Sequence, residues 1–105
     1  MFINEPRGVV EFGNDTGAVI ACGARGSPTP KVEWVMAGDG SLAGPVPHIR
    51  EPLPNGSLYF PPFPAEAYRH DIHSAVYRCE ASNSAGRILS REVNVRAGES
   101  KVSLS

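Results

Sequence analysis

The sequence predicts an all-β protein. Short runs of alternating apolar and polar residues are separated by clusters of Gly, Pro and Asn, and no window of helical length shows a 3.6-residue period. Ten prolines and eleven glycines supply more turn-forming residues than a helical bundle tolerates. The 105 residues suffice for one domain with its own hydrophobic core.

The first four predicted strands are short runs rich in β-branched or aromatic residues, separated by turn-forming residues. In the fourth strand, Val32, Trp34 and Met36 share one face, and Lys31 and Glu33 share the other. Because successive side chains of a strand point to opposite sides of a sheet, this pattern predicts one buried face. The four strands cover residues 2–4, 9–12, 18–24 and 31–37, with turns at 13–15, 26–30 and 38–44.

The last four predicted strands follow the same rules. The strand at 75–83 places Tyr77 and Cys79 on a face of small or apolar residues, and Arg78 and Glu80 on the polar face. The turn Pro54-Asn55-Gly56 precedes the sixth strand, and Asn83-x-x-Gly86 joins the last two. These four strands cover residues 48–51, 57–60, 75–83 and 87–96.

Two cysteines, Cys22 and Cys79, lie on inward faces of separate strands, 57 positions apart. The residues alone leave three interpretations open: a disulfide bond, two buried free thiols, or two ligands of a metal site. A metal site is disfavoured because the sequence has no Cys-x-x-Cys and no His at ligand spacing from either cysteine. A disulfide closing so long a loop would stabilise the domain by about 4 kcal/mol in the entropic model.

Charge and hydropathy exclude several classes of partner. Ten basic and eleven acidic residues leave a net charge of −1, so no field attracts nucleic acid. No apolar run approaches the roughly 18 residues that crossing a bilayer requires. The N-terminus lacks the basic and apolar regions of a signal peptide, so a secreted chain would be a piece of a longer protein. Residues 2–97 are expected to form one domain, and residues 98–105 a linker or tail.

The cluster His70-Asp71-x-His73 is the strongest candidate for chemistry, because a His beside a carboxylate suits proton transfer or metal binding. No nucleophile and no Gly-rich phosphate loop accompanies it. We therefore interpret this segment as a solvated loop that caps one end of the fold. The sequence predicts no catalytic residue, no metal and no cofactor.

Three arginines, Arg78, Arg87 and Arg91, could form a basic strip that binds a sulfated glycan. Glu80 and Glu92 interrupt this strip, so ordinary outward-facing charge is the favoured interpretation.

Two triplets satisfy the Asn-x-Ser/Thr rule for N-glycosylation, at Asn14 and Asn55. Both fall in predicted turns, where a glycan can be carried. Asn55-Gly56 is also favourable hairpin chemistry, so its role in a turn holds without a sugar.

The spacing of Cys22, Trp34 and Tyr77-Arg78-Cys79 resembles that of an immunoglobulin domain. The resemblance covers about residues 2–97 and implies an immunoglobulin-like β-sandwich of two antiparallel sheets. It implies a disulfide bond between Cys22 and Cys79, covered by the indole of Trp34. It also implies that Tyr77 is the tyrosine-corner residue, whose hydroxyl bonds to backbone a few residues upstream.

Further motifs resemble the intermediate set of immunoglobulin domains and add Leu58 and Phe60 to the expected core. One position departs from that set, because His73 stands where an Asp usually pairs with the residue at Arg50. Asp71 is a candidate substitute partner for Arg50. The matching motifs are Gly26-x-Pro28-x-Pro30, Leu58-x-Phe60-x-x-Phe63 and Asn83-x-x-Gly86.

A long connection narrows the resemblance further. The run SLYFPPFPAEAYRHDIHSAVYRC, residues 57–79, resembles the N-terminal immunoglobulin domain of the Down syndrome cell adhesion molecule (Dscam) family, especially its arthropod members. The resemblance implies a single-pass neuronal receptor with many immunoglobulin and fibronectin type III domains, whose ectodomain binds copies of itself on apposed membranes. It implies that the first domain packs on a later domain of the same chain, with exposed apolar residues such as Val19 and Val35 facing it.

Two other functions remain open at this stage. The same domain could belong to a secreted arthropod immune receptor that binds microbial surfaces. Alternatively, an intracellular muscle-scaffold immunoglobulin domain shares several of these motifs but keeps its cysteines reduced. Such a scaffold domain would bear load, whereas the adhesion and immune functions would use a recognition surface that the sequence does not identify.

Overall fold

The computed structural model describes residues 2–98. Within them the chain forms ten β-strands, a 3₁₀ turn at Ala65–Ala67 and one turn of α-helix, α1, at His70–His73. The strands are β1 Phe2–Asn4, β2 Val9–Gly13, β3 Ala18–Ile20, β4 Gly23–Ala24, β5 Lys31–Met36, β6 Glu51–Pro52, β7 Leu58–Phe60, β8 Ser74–Asn83, β9 Gly86–Leu89 and β10 Val93–Gly98.

The strands form the two facing layers expected for a β-sandwich. One layer has the order β2-β10-β8-β5, with β9 paired to the far end of β8. The other has the order β3-β7-β6, and β4, which follows β3 along the chain, pairs with β1 in a separate two-stranded sheet. The all-β prediction is confirmed, with two departures from two antiparallel sheets: the small separate β1-β4 sheet and one parallel pairing. Strands β2 and β10 pair in parallel, because the N-terminal segment crosses from one layer to the other after β1.

A disulfide bond between Cys22 and Cys79 joins the layers, with an S–S distance of 1.96 Å. Trp34 lies opposite Cys79 on the neighbouring strand and is buried in the same core. Its indole Nε1 donates a 2.9 Å hydrogen bond to the carbonyl of Gly56, which satisfies the polar atom of a buried ring. The rest of the core includes Leu58, Phe60, Tyr77, Val93 and Val95.

The Tyr77 hydroxyl is the centre of a buried polar network. It donates a 2.8 Å hydrogen bond to the carbonyl of Ile72 and accepts a 3.2 Å bond from Arg50 Nη1. Arg50 Nε donates to the carbonyl of Gly44, and burial raises the pKa of Tyr77. Asp71 is not the hydrogen-bonding partner of Arg50: it lies at the exposed surface, where the guanidinium of Arg69 binds it instead.

Replacing Tyr77 with Phe is expected to lower the free energy of unfolding by about 2 kcal/mol, because it leaves a buried guanidinium donor and a buried carbonyl unpaired. Urea unfolding would measure the loss. Tyr59→Phe is the matched control, since Tyr59 is only half-buried on β7. Equal losses in the two variants would contradict a role for the buried hydroxyl.

Most predicted strands agree with the structure to within one residue at each end, but three differ more. The strand predicted at 18–24 is divided into β3 and β4, and the strand predicted at 48–51 begins only at Glu51, because His48 adopts a left-handed turn conformation with φ of 66°. The strand predicted at 87–96 is interrupted between β9 and β10. There the hydroxyl of Ser90 accepts from the Cys79 N–H and donates to the Arg91 carbonyl, which replaces a regular ladder contact.

Candidate functional site

The connection between β7 and β8 closes one end of the sandwich with three stacked rings. The His73 ring lies 4.0 Å from the Phe63 ring and 5.4 Å from the Tyr68 ring, measured between centroids. His73 is fully buried, and its Nδ1 accepts a 2.8 Å hydrogen bond from the Arg69 N–H. The segment does cap this end, but His73 is not solvated as expected, because these rings cover it.

Burial lowers the pKa of His73 below its usual value of 6.5. The unfolded chain therefore binds a proton more readily than the folded chain does. We expect the free energy of unfolding to be highest above pH 6.5 and to decrease as the pH falls below it. Unfolding in urea between pH 7.5 and about pH 5 would measure this dependence, with His73→Gln as the control that cannot titrate. Parallel pH profiles for the two chains would contradict it.

The His70-Asp71-x-His73 cluster does not converge on one point. Asp71 forms an exposed 2.8 Å ion pair with Arg69, whose hydrogen bonds lower the pKa of the carboxyl group. His73 turns into the ring stack described above. Among residues 2–98, no three His, Cys, Asp or Glu side chains come close enough to hold a metal ion. No helix in the same part of the chain has the length and apolar character of a membrane span.

The three arginines of the possible basic strip each have an acidic partner. These ion pairs are exposed and contribute little to stability, but they neutralise the strip. The arrangement matches the interpretation as ordinary outward-facing charge and gives no concentrated site for a sulfated glycan. The pairs are Arg78 with Glu92 at 3.6 Å, Arg87 with Glu80 at 3.5 Å, and Arg91 with Glu5 at 3.2 Å.

The two valines expected at a docking face differ in exposure. Val19, on β3, is 59% exposed and is available for contact. Val35 is only 4% exposed, so its assignment as an exposed residue was wrong. It does point outward from β5, but it sits between Arg78 on β8 and Leu42, which pairs with it across an isolated bridge.

Sequence reasoning missed most of the exposed apolar residues. Ile88 and Leu89 are adjacent on β9, which pairs with β8 alone within the part of the chain that the structure describes. The available signal was the pair of consecutive apolar residues in Arg87-Ile88-Leu89-Ser90, which departs from strict alternation. The other exposed large apolar residues are Val9, Leu42 and Tyr68.

The two glycosylation triplets lie in different environments. Asn55 is exposed in the turn between β6 and β7, where its Oδ1 accepts a 3.0 Å hydrogen bond from the Ser57 N–H. Asn14 is half-buried beside the ring stack, and its Nδ2 donates a 3.0 Å hydrogen bond to the carbonyl of Phe63. The backbone N–H of Phe63 in turn donates a hydrogen bond to the backbone carbonyl of Asn14. Gly98, which was expected to begin a tail, instead ends β10 and pairs with Gly13, so the strand extends one residue beyond the predicted domain. Residues 99–105 of the expected tail lie outside the described residues.

No protein-family model matches the chain. Among curated proteins, it is 52% identical over 96 residues to the cell adhesion molecule Dscam2 of Drosophila melanogaster and 38% identical to the human cell adhesion molecule DSCAML1. These matches cover 91% of this chain, which spans only 5% of the length of each relative.

Solved structures give the same result. A crystal structure of the N-terminal four Ig domains of Dscam1 isoform 1.9 matches with a TM-score of 0.93 and 44% identity. The match covers 97% of this chain and 26% of that one. A structure of the N-terminal eight Ig domains of DSCAM isoform 1.30.30 also matches with a TM-score of 0.93, over 97% of this chain and 13% of that one. The chain therefore belongs to the Dscam family of cell adhesion molecules, as an N-terminal immunoglobulin domain.

Proposed function

We propose that this chain is an extracellular domain of a single-pass adhesion receptor that binds copies of itself on apposed membranes. The observation that carries the proposal is the agreement of sequence and fold, over nearly the whole chain, with proteins described as cell adhesion molecules. The buried disulfide supports an oxidising, extracellular setting and argues against an intracellular scaffold domain with reduced cysteines. Recognition proceeds by surface contact without catalysis.

The domain acts as one of several contacts. The related structures contain four and eight consecutive Ig domains, so this domain has neighbours in its parent protein. Contacts between single domains of this size are weak, and linked domains gain affinity when their geometry lets them engage together. Its neighbours are therefore partners in the same chain, and a second receptor molecule is the partner across the membrane gap.

Bead aggregation tests this function. Beads carrying the four N-terminal domains of the parent protein, at a matched surface density, are expected to cluster with each other and not with beads carrying an unrelated immunoglobulin domain. Beads with the single domain are expected to cluster less, because avidity is lost. Absence of clustering by the four-domain protein would contradict homophilic adhesion. Clustering that requires added microbial surfaces would instead favour a secreted immune receptor.

We also propose that Asn55, and not Asn14, carries an N-glycan. Asn55 lies in an exposed turn. In Asn14, by contrast, the atom that would carry the glycan, Nδ2, donates a hydrogen bond to the Phe63 carbonyl. Expression in glycosylating cells is expected to give an added mass that Asn55→Gln removes and Asn14→Gln retains. Loss of the added mass in Asn14→Gln alone would contradict this assignment.

A further inference from the structure

The outer edge of β9 carries backbone groups that point to solvent. Strand β9 pairs with residues 80–83 of β8, whereas its continuation β10 is covered by β2. The N–H of Ser90 points toward β8 and donates to the carbonyl of Cys79. Because backbone N–H groups alternate between the two sides of a strand, those of Arg87 and Leu89 point away from β8. This stretch is an open sheet edge.

Arg91 marks where the open edge ends. It lies two residues beyond Leu89, so its N–H also points outward, and there it donates a 2.8 Å hydrogen bond to Glu5 Oε2. The Arg91 guanidinium binds the other oxygen of the same carboxylate at 3.2 Å. At Arg91, then, the outward N–H of this edge is hydrogen-bonded to an acceptor. The outward N–H groups of residues 87 and 89 remain available for another strand.

The open stretch is also apolar. Ile88 is 39% exposed and Leu89 is 42% exposed, and they lie on opposite faces of the same strand. Natural edge strands are commonly protected by charged side chains, especially Lys, by Pro or by a covering segment. Strand β9 contains no Pro and no Lys, and its one charged side chain, Arg87, forms an ion pair with Glu80 on β8. No described strand pairs with its outer edge. An edge of this kind favours the addition of another strand.

We propose that this edge pairs with β9 of a second copy of the chain, antiparallel about a twofold axis that relates the two Ile88 residues. In this register Arg87 of one copy lies opposite Leu89 of the other, and the pair exchanges both N–H to carbonyl hydrogen bonds. The twofold axis generates the same two hydrogen bonds on its other side, between Leu89 of the first copy and Arg87 of the second. The Ile88 side chains then face each other as a close, non-hydrogen-bonded pair, which buries the exposed apolar surface.

Charge on the outer face favours this register over its neighbours. In one copy, Glu33 lies opposite Glu80, and Glu80 lies opposite Leu89. The row continues across the axis into Arg87, Ser82 and Lys31 of the second copy, so it places opposite charges, not like charges, at its two ends. Within each copy Arg87 pairs with Glu80 and Lys31 with Glu33, so this attraction is weak and acts mainly by avoiding like-charge contacts. An axis centred on Arg87 would instead place two guanidinium groups opposite each other. An axis centred on Leu89 would place Arg87 of one copy opposite Arg91 of the other, which is also a like-charge contact.

The paired strands are short, so the contact between two copies is weak. A four-residue strand buries less than the roughly 1,200–2,000 Å² of a stable specific interface. The isolated chain is therefore expected to associate weakly, with a dissociation constant on the order of 0.1–1 mM. The inference deepens the proposed homophilic function and rests on it for its biological role, because linked domains turn such a contact into useful avidity.

Sedimentation equilibrium of the isolated chain at up to about 1 mM tests the pairing. Leu89→Pro removes an outward N–H and leaves the donors to β8 in place, and Ile88→Lys puts charge at the twofold axis. Each is expected to weaken self-association by about tenfold or more. Val19→Lys, at an exposed apolar position on the other layer, is the matched control and is expected to change nothing. Urea unfolding verifies that every variant is folded.

A wild-type chain that stays monomeric at this concentration overturns the inference. So does self-association that survives both Leu89→Pro and Ile88→Lys, or that Val19→Lys abolishes. The bead assay separates this failure from failure of the adhesion function: clustering by four domains with a monomeric single chain contradicts the β9 contact alone. Pairing through β9 without clustering of the four-domain protein contradicts adhesion alone.

Discussion

Replacing both Cys22 and Cys79 with Ala is expected to lower the free energy of unfolding by about 4 kcal/mol. The disulfide joins positions separated by 57 residues, and a cross-link over a loop of that length restricts the unfolded chain by about this amount. Small domains are stable by only about 5–15 kcal/mol in total. The double variant is therefore expected to unfold at a much lower urea concentration, which the fluorescence of the buried Trp34 reports.

A second double variant separates the cross-link from the packing of the sulfur atoms. Cys22→Val with Cys79→Val removes the same bond but fills more of the space between the layers. Because the cross-link contributes more than the packing of the sulfur atoms, the losses of stability in the two double variants are expected to differ by no more than about 1 kcal/mol. Stability near that of the wild type in the valine variant would show that packing, and not the covalent bond, holds the layers together.

The parts of the fold that follow from local alternation could be predicted from the sequence. Trp34 and Cys79 lie on apolar faces of strands whose period is visible in the residues themselves, and the structure pairs them directly. The break after Leu89 could not be predicted in this way. It depends on the hydroxyl of Ser90, which accepts a hydrogen bond from the Cys79 N–H only when the neighbouring strand is in place.

The candidate surface was harder to predict because exposure depends on residues distant in the sequence. Alternation assigned Val35 to the outward side of its strand correctly, but it did not reveal that Leu42 and Arg78 flank and bury it. His73 is a polar residue in a connection, and only the positions of two aromatic rings show that it is buried. The open edge of β9 likewise follows from where β2 lies along β10, which no local pattern specifies.

Gly56→Ala is expected to destabilise the domain by about 3 kcal/mol, because the turn before β7 leaves no room for a side chain. Gly56 has a φ of 94°, which costs an L-residue about 1–2 kcal/mol. A Cβ at this position would also overlap the carbonyl oxygen of Cys22, and such overpacking costs about 1–3 kcal/mol. The Gly56 carbonyl accepts the indole N–H of Trp34, so any shift of the turn weakens that bond too.

Gly40→Ala isolates the backbone contribution. Gly40 has a similar φ of 75°, but a Cβ there meets nothing within 4 Å. It is therefore expected to cost only about 1–2 kcal/mol, and urea unfolding of the two variants side by side measures the difference. A clear excess for Gly56→Ala means that close contact between this turn and Cys22, in the break between β3 and β4, excludes a side chain at position 56. Equal losses would mean that the turn moves away from Cys22 freely, and that the contact does not help hold Trp34 in place.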